Sequence, residues 1–309
     1  MGATTIDGIE AAGMAALVRA GESGEWFAGH FGAAMISGAR LLRDPDLPGP
    51  AAMALSKRLS EWTAAHRDWY APLALEEGEA ADPDALHAVL RRHASRLRTS
   101  GHPTIYLATA LELLARRPEW ARARAIEALL RLHAAGQEDD PARYFGVDDY
   151  FACVDRDAAA PSGAVPTEAL GAEPALRRAV EALDPLASDR TIDGRRYFLT
   201  GEKIHLWTLA HAIDLFDRLG LWAIAADASR AHADLARLVG PSHAVEPTSI
   251  APAGCDPFDA RFWEQEPLDL LHVVKLAEAV VALLPRLPGA ERAVARERLG
   301  RVWALLGLR

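Results

Sequence analysis

The feature that most restricts this chain is the recurrence of apolar residues at helical spacing in nearly every window, with strand-like alternation almost absent. Ala, Leu, Arg and Glu dominate, and these residues lose least on entering a helix. The period predicts helices near 8–20, 25–44, 49–70, 83–99, 103–116 and 119–135. Others are expected near 167–183, 202–219, 221–239, 267–284 and 290–306. Pro48 and Pro50 break the chain after the second helix, and Pro83 suits a first helical turn. Pro118 and Gly220 each leave only a short corner between two helices, which implies antiparallel hairpins. Asp193-Gly194 fits a short β-hairpin over 190–200. Segments 136–166 and 240–266 read as irregular loops, yet Tyr144, Phe145, Tyr150, Phe151, Phe258, Phe262 and Trp263 mark them as ordered ones. No interdomain linker appears. The expectation is one all-α domain over 1–309, made of antiparallel helical hairpins in a closed or solenoid-like array.

Composition narrows the function. A chain of 309 residues, half of them apolar, buries a sizeable core without staples. Lys and Arg number 34 against 43 Asp and Glu, and the resulting −9 opposes attraction to nucleic acid. No apolar run reaches the length of about 18 residues that a membrane span requires. Two cysteines, Cys153 and Cys255, make no disulfide framework, and with no signal-peptide pattern a cytoplasmic location is expected. P-loop, GxGxxG, GxSxG and CxxC motifs are missing. Ser37 and Cys153 remain as unassigned nucleophiles. The carboxylates Glu138, Asp139, Asp140, Asp148 and Asp149 lack DDxxD spacing, so they read as a solvated loop with a helix start at Asp139-Asp140-Pro141.

Three helices echo one another, as LATALELL from Leu107, LAHAIDLF from Leu209 and LAEAVVAL from Leu276. His205 and His272 stand four residues before the Leu, and His102 five before. Chance likeness of Ala/Leu helices explains this, or a repeated hairpin does; a closed array of such hairpins would aim helix N-termini and histidines at one cavity. Of 11 histidines, His66, His87, His93, His133 and His232 are expected to face solvent, and His243 lies in a loop. His30, His102, His205, His211 and His272 instead begin or sit within strongly apolar helices. A buried imidazole needs a partner, so each is either a satisfied core residue or part of a shared polar pocket.

Helical spacing names neighbours. Tyr106 lies four residues after His102, Trp26 four before His30, Asp214 three after His211, and Asp269 three before His272. Asp214 and Asp269 would fix the tautomer of an imidazole and raise its basicity. Lys275, in an apolar helix, is either an acid, base or anion holder or a side chain that snorkels to solvent. Phe31 and Trp207 would shape a substrate pocket beside Tyr106. No HExxH or HxH pair is present, so a metal would need one histidine from each of several helices; the sequence specifies no ion and no cofactor.

The chain resembles the questin oxidase-like family at three stretches. The first is His30 with FGAAMISGARLL and the following WTAAHRDWYAPL; the second is SGHPTIYLATALELL with PEWARARAIEALLRLHAAG; the third is LLHVVKLAEAVVALLP. The resemblance implies a helical architecture and oxidation of a polyketide-like aromatic, with nicotinamide or oxygen supplying the redox chemistry. The resulting expectation is a small-molecule-modifying oxidoreductase of specialised metabolism with a histidine-lined pocket. The alternatives are a metal-dependent enzyme using the same histidines, and a non-catalytic helical-repeat scaffold whose histidines would scatter.

Overall fold

Helices fall where the apolar period places them in the computed structural model, which describes residues 5–139, 170–184, 190–192, 195–197, 199–239 and 250–309. The first, α1 (Ile6–Ser23), starts at Thr5, whose side chain accepts from Gly8 N–H, and stops at Gly24 with φ 73°. There follow α2 (Gly29–Arg43), α3 (Gly49–Ala65), α4 (Arg67–Tyr70), α5 (Asp84–His93), α6 (His102–Arg116) and α7 (Ala123–Ala135). The second half holds α8 (Ala172–Ala182), α9 (Leu199–Arg218), α10 (Trp222–Val239), α11 (Ala260–Glu264), α12 (Leu270–Leu283) and α13 (Gly289–Leu305). Two short strands, β1 (Arg190–Ile192) and β2 (Arg195–Tyr197), pair antiparallel with Ile192 opposite Arg195, as the hairpin reading expected. Their connecting Asp193-Gly194 lies outside the described residues.

Three boundaries differ from expectation for local reasons. The helix expected over 49–70 breaks at His66, whose φ −117° and ψ 49° leave the helical region while its Nδ1 donates to Trp62 O at 3.0 Å. The one expected over 83–99 ends at His93, and the chain beyond it turns through Thr99 and Ser100 at left-handed φ values of 46° and 54°. The one expected from 25 opens instead as a 3₁₀ turn, Trp26–Ala28, before α2. Within 240–266 the structure places the helix α11, while 240–249 lie outside the described residues. So do Tyr144, Phe145, Tyr150, Phe151, Asp140, Asp148, Asp149, Cys153 and His243.

Four helices form the centre. Contacts join α2 to α6, α6 to α9, α9 to α12 and α12 back to α2, closing a ring. Around it pack α1 and α7 on one side and α8 and α10 on another. The corners at Pro118 and Gly220 fold α7 back on α6 and α10 back on α9, so both predicted hairpins form. Gly29 admits the ring of Tyr106, since a Cβ there would meet Tyr106 Cε2 at 2.4 Å. The result is an all-α domain whose apolar side chains form one contiguous core. None of its described helices is long and apolar enough to cross a membrane.

The ring also fixes helix direction. His30, His102, His205 and His272 meet at one level of it. Residues three to seven positions further along each helix meet again around a small cavity: Ser37 from α2, Thr109 from α6, Thr208 and His211 from α9, Lys275 and Glu278 from α12. Helices that converge twice in the same chain order run in the same direction. The four therefore present their N-terminal parts together, and three of the histidines fall within the first three residues of α2, α6 and α12.

Candidate metal centre

Each histidine reaches the ring from a different helix, and the Nε2 atoms point at one another. His30 Nε2 lies 2.9 Å from His102 Nε2 and 3.2 Å from His272 Nε2. His205 Nε2 lies 3.2 Å from His272 Nε2. One ligating atom from each of the four fits within 4.8 Å of all the others. An ion held by imidazoles at about 2.0–2.1 Å sets its donors about 3.3 Å apart in a tetrahedron and about 2.9 Å apart along the edge of a square. Three of the six donor pairs, at 2.9, 3.2 and 3.2 Å, fall between those two values, and the others lie within 4.8 Å.

The far sides of the rings decide which nitrogen carries hydrogen. His30 Nδ1 donates to Phe27 O at 2.7 Å, His102 Nδ1 to Thr99 O at 2.5 Å, and His272 Nδ1 to Asp269 Oδ2 at 2.6 Å. Carbonyl and carboxylate oxygens only accept, so each Nδ1 holds the proton and each Nε2 presents a lone pair. In all three cases the acceptor sits three residues before the histidine. For His30 and His102 it belongs to a 3₁₀ turn leading into the helix; for His272 it is the N-cap of α12, whose Oδ1 also accepts His272 N–H at 3.1 Å.

Three of the rings are held neutral. Burial, joined by Lys275 and the other imidazoles, pushes His30 well below its ordinary value. His102 falls likewise through burial, His205 and Lys275. For His272, burial and then Lys275 outweigh the bond from Asp269 and bring the ring to about 4. Burial would raise Asp269, but the hydrogen bonds it accepts from His272 hold that carboxyl at about 2. The bare Nε2 atoms of His30, His102 and His272, 2.9 and 3.2 Å apart on uncharged rings, repel one another. A cation among them converts that repulsion into ligation, and the outward Nδ1 bonds are the orienting contacts that histidine ligands require.

Lys275 lies one turn beyond His272 and is 2 % exposed. Its Nζ has no hydrogen-bond partner among the described residues and faces the small cavity, which has space for about one water molecule. Burial brings this amine down to about 7, against a weak pull from Asp269. It does not snorkel to solvent. Tyr106, fully buried, brings its hydroxyl to 2.7 Å from His30 Nδ1, and Trp26 packs on the His102 ring with centroids 5.3 Å apart.

The other expected site residues lie elsewhere. His211 is buried but outside the cluster; its Nδ1 meets Glu278 Oε2 at 3.3 Å. Asp214 does not orient it, because Arg286 and Arg218 take that carboxylate in ion pairs. Phe31 stacks on Trp69 with ring centroids 5.3 Å apart, in a separate aromatic group with Trp62 and His66. Trp207 is fully buried in the apolar core, its indole N–H unpaired. His133 and His232, expected at the surface, are 3 % and 0 % exposed: His133 sits against Arg98, and His232 Nε2 donates to Leu206 O at 3.0 Å. A carbonyl presented by a neighbouring helix leaves no trace in local spacing.

Sequence reasoning passed over Arg40, Glu278 and Glu112. Arg40 Nε and Nη2 bind Glu278 at 2.7 and 3.1 Å, and its Nη1 binds Glu112 at 3.0 Å. Burial would raise Glu278, yet Arg40 and His211 hold its carboxyl far below the usual range. The signal was a charged residue inside an apolar helix, as Lys275 was. A larger cavity of about 340 Å³ lies between residues 252–259 and α13 and shares no lining residue with the histidines.

No protein-family model, curated protein or solved structure matches this chain.

Proposed function

We propose that this chain is a metal-dependent enzyme that oxidises a small molecule, with one transition-metal ion held by the Nε2 atoms of His30, His102, His205 and His272. The single observation that carries the reading is the meeting of the bare Nε2 lone pairs of His30, His102 and His272, 2.9 and 3.2 Å apart, while the Nδ1 hydrogens of these three rings are committed outward. A cation satisfies such a set. Imidazole donors suit iron, copper, zinc and nickel, and an oxidation selects iron or copper among them. The oxidative character and the aromatic, polyketide-like substrate rest on the resemblance at the His30, His102 and His272 stretches. The ion would supply the redox chemistry, and the protein would position it: Asp269 fixes His272, and the Phe27 and Thr99 carbonyls fix His30 and His102.

A scaffold without catalysis would scatter its histidines, and convergence of four favours the enzyme. Elemental analysis of purified protein, before and after loading with Fe²⁺, Cu²⁺ or Zn²⁺, tests the reading. The expected result is about one equivalent bound tightly, and less than about 0.1 equivalents after loading overturns it. Dioxygen uptake by the iron- or copper-loaded protein over a panel of phenolic polyketides then tests the oxidation.

A further inference from the structure

The turn that leads into α6 is the most strained backbone among the described residues. Thr99, Ser100 and Gly101 follow one another at φ 46°, 54° and 88°, and the first two are the only non-glycine residues there with positive φ. L-residues in that region crowd their own carbonyls, so two in succession persist only when the surroundings hold them. This turn also carries Thr99 O, the acceptor that aims His102.

What holds it is the segment 136–139, which leaves α7 and runs beside the turn. Ser100 N–H donates to Asp139 Oδ2 at 2.8 Å. Asp139 N–H returns a bond to Leu97 O at 3.0 Å. Gln137 N–H donates to Thr99 Oγ1 at 2.9 Å, and Arg98 and Glu138 pair as an isolated β-bridge. Gly136 permits the close approach, since a Cβ there would meet Pro103 Cγ at 2.3 Å. The Phe27 turn at His30 contains no residue of positive φ, and Asp269 aims His272 through its own side chain. Of these three supports, the one at His102 is the one that depends on a carboxylate distant in the chain.

We propose that Asp139 is a positioning residue for the metal centre: by accepting Ser100 N–H it clamps the left-handed Thr99–Gly101 turn, which delivers Thr99 O to His102 Nδ1 and so aims His102 Nε2 at the ion. This role rests on the four-histidine reading. It also turns a carboxylate that looks like part of a solvated loop into a component of the site.

The test is the affinity of the full chain for Co²⁺, measured by chelator competition and by the visible absorption of the bound ion, with thermal unfolding of the metal-free proteins run alongside. Asp139→Ala is expected to weaken Co²⁺ binding by about tenfold and to alter the absorption bands, as loss of an orienting contact behind a histidine ligand does. Asp139→Asn, whose amide oxygen accepts the same bond, is expected to bind within about threefold of the parent. Should Asp139→Ala fail to fold, the double variant Asp139→Ala with Ser100→Gly relieves the strain at Ser100, and it is expected to fold and to bind Co²⁺ about tenfold more weakly than the parent, parent-like affinity overturning the positioning role. Parent-like affinity and spectrum in Asp139→Ala overturn the positioning role while leaving the metal centre standing, as does an equal loss in the Ala and Asn variants. A parent protein that binds no metal overturns both.

Discussion

The same four parallel helices carry two polar layers, and the layers are built on opposite principles. At the level of His30, His102 and His272, acceptors face acceptors. At the level of Arg40, Glu112, His211 and Glu278, donors meet acceptors: Arg40 spans Glu278 and Glu112, His211 meets Glu278, and Arg116 extends the chain from Glu112 to the fully buried Glu10. Burial penalises polar groups equally in both places. The deeper layer answers with charges from neighbouring helices, and the upper layer has no internal answer. Saturation marks structure; its absence marks the place of a ligand. Lys275 stands between the two, three residues from His272 and three from Glu278, and its amine, without a hydrogen-bond partner among the described residues, faces the small cavity that His211 and Glu278 also line.

That contrast breaks if both layers respond alike to mutation. The largest expected effect is on metal binding: His30→Ala lowers affinity by more than about 1,000-fold, or about 4 kcal/mol, by chelator competition, with the stability of the metal-free protein nearly unchanged or raised. Parent-like binding in this variant would defeat the four-histidine site. Glu278→Ala should do the reverse. It leaves Arg40 with Glu112 alone and costs about 3 kcal/mol in urea unfolding, the scale of breaking a buried pair, while metal affinity shifts little. A loss of binding without a loss of stability would merge the layers.

Smaller effects sharpen the boundary. Asp269→Ala removes both the N-cap of α12 and the acceptor on His272 Nδ1, so metal affinity should fall about 10- to 100-fold. Unchanged affinity would show that His272 needs no orienting partner. The gentlest probe is pH. The His272 ring titrates near 4 when folded and metal-free, against about 6.5 unfolded, so between those values the unfolded chain binds more protons. Stability of the metal-free protein therefore falls as pH drops from about 6.5 toward 4, and His272→Gln flattens part of that slope in unfolding experiments across this window. A slope untouched by the substitution would place the titration elsewhere.

Much of this was legible in the residues themselves. The helical period, Pro118 and Gly220 specified the hairpins, because local propensity and corner chemistry act within a few residues. The apolar helices singled out five histidines, His30, His102, His205, His211 and His272, four of which converge, since an imidazole in an apolar stretch declares its need for a partner wherever it folds. Asp269 could be paired with His272 because i,i+3 spacing is a property of the helix alone.

Partners supplied across the fold could not be read this way. His211 shares every sequence trait of the other four, yet Glu278 of another helix claims it; Asp214, its neighbour in sequence, goes to Arg286. Asp139 lies 37 residues after His102 in the sequence and acts through a turn that only α7 brings beside it. What the sequence by itself determined was the helices and which polar side chains they would bury. Which of those side chains meet one another, and which are left facing empty-handed toward a common point, was decided by the closure of four helices into a parallel ring, because the satisfaction of a buried group depends on what lies within about 3 Å of it and not on what lies beside it in the chain.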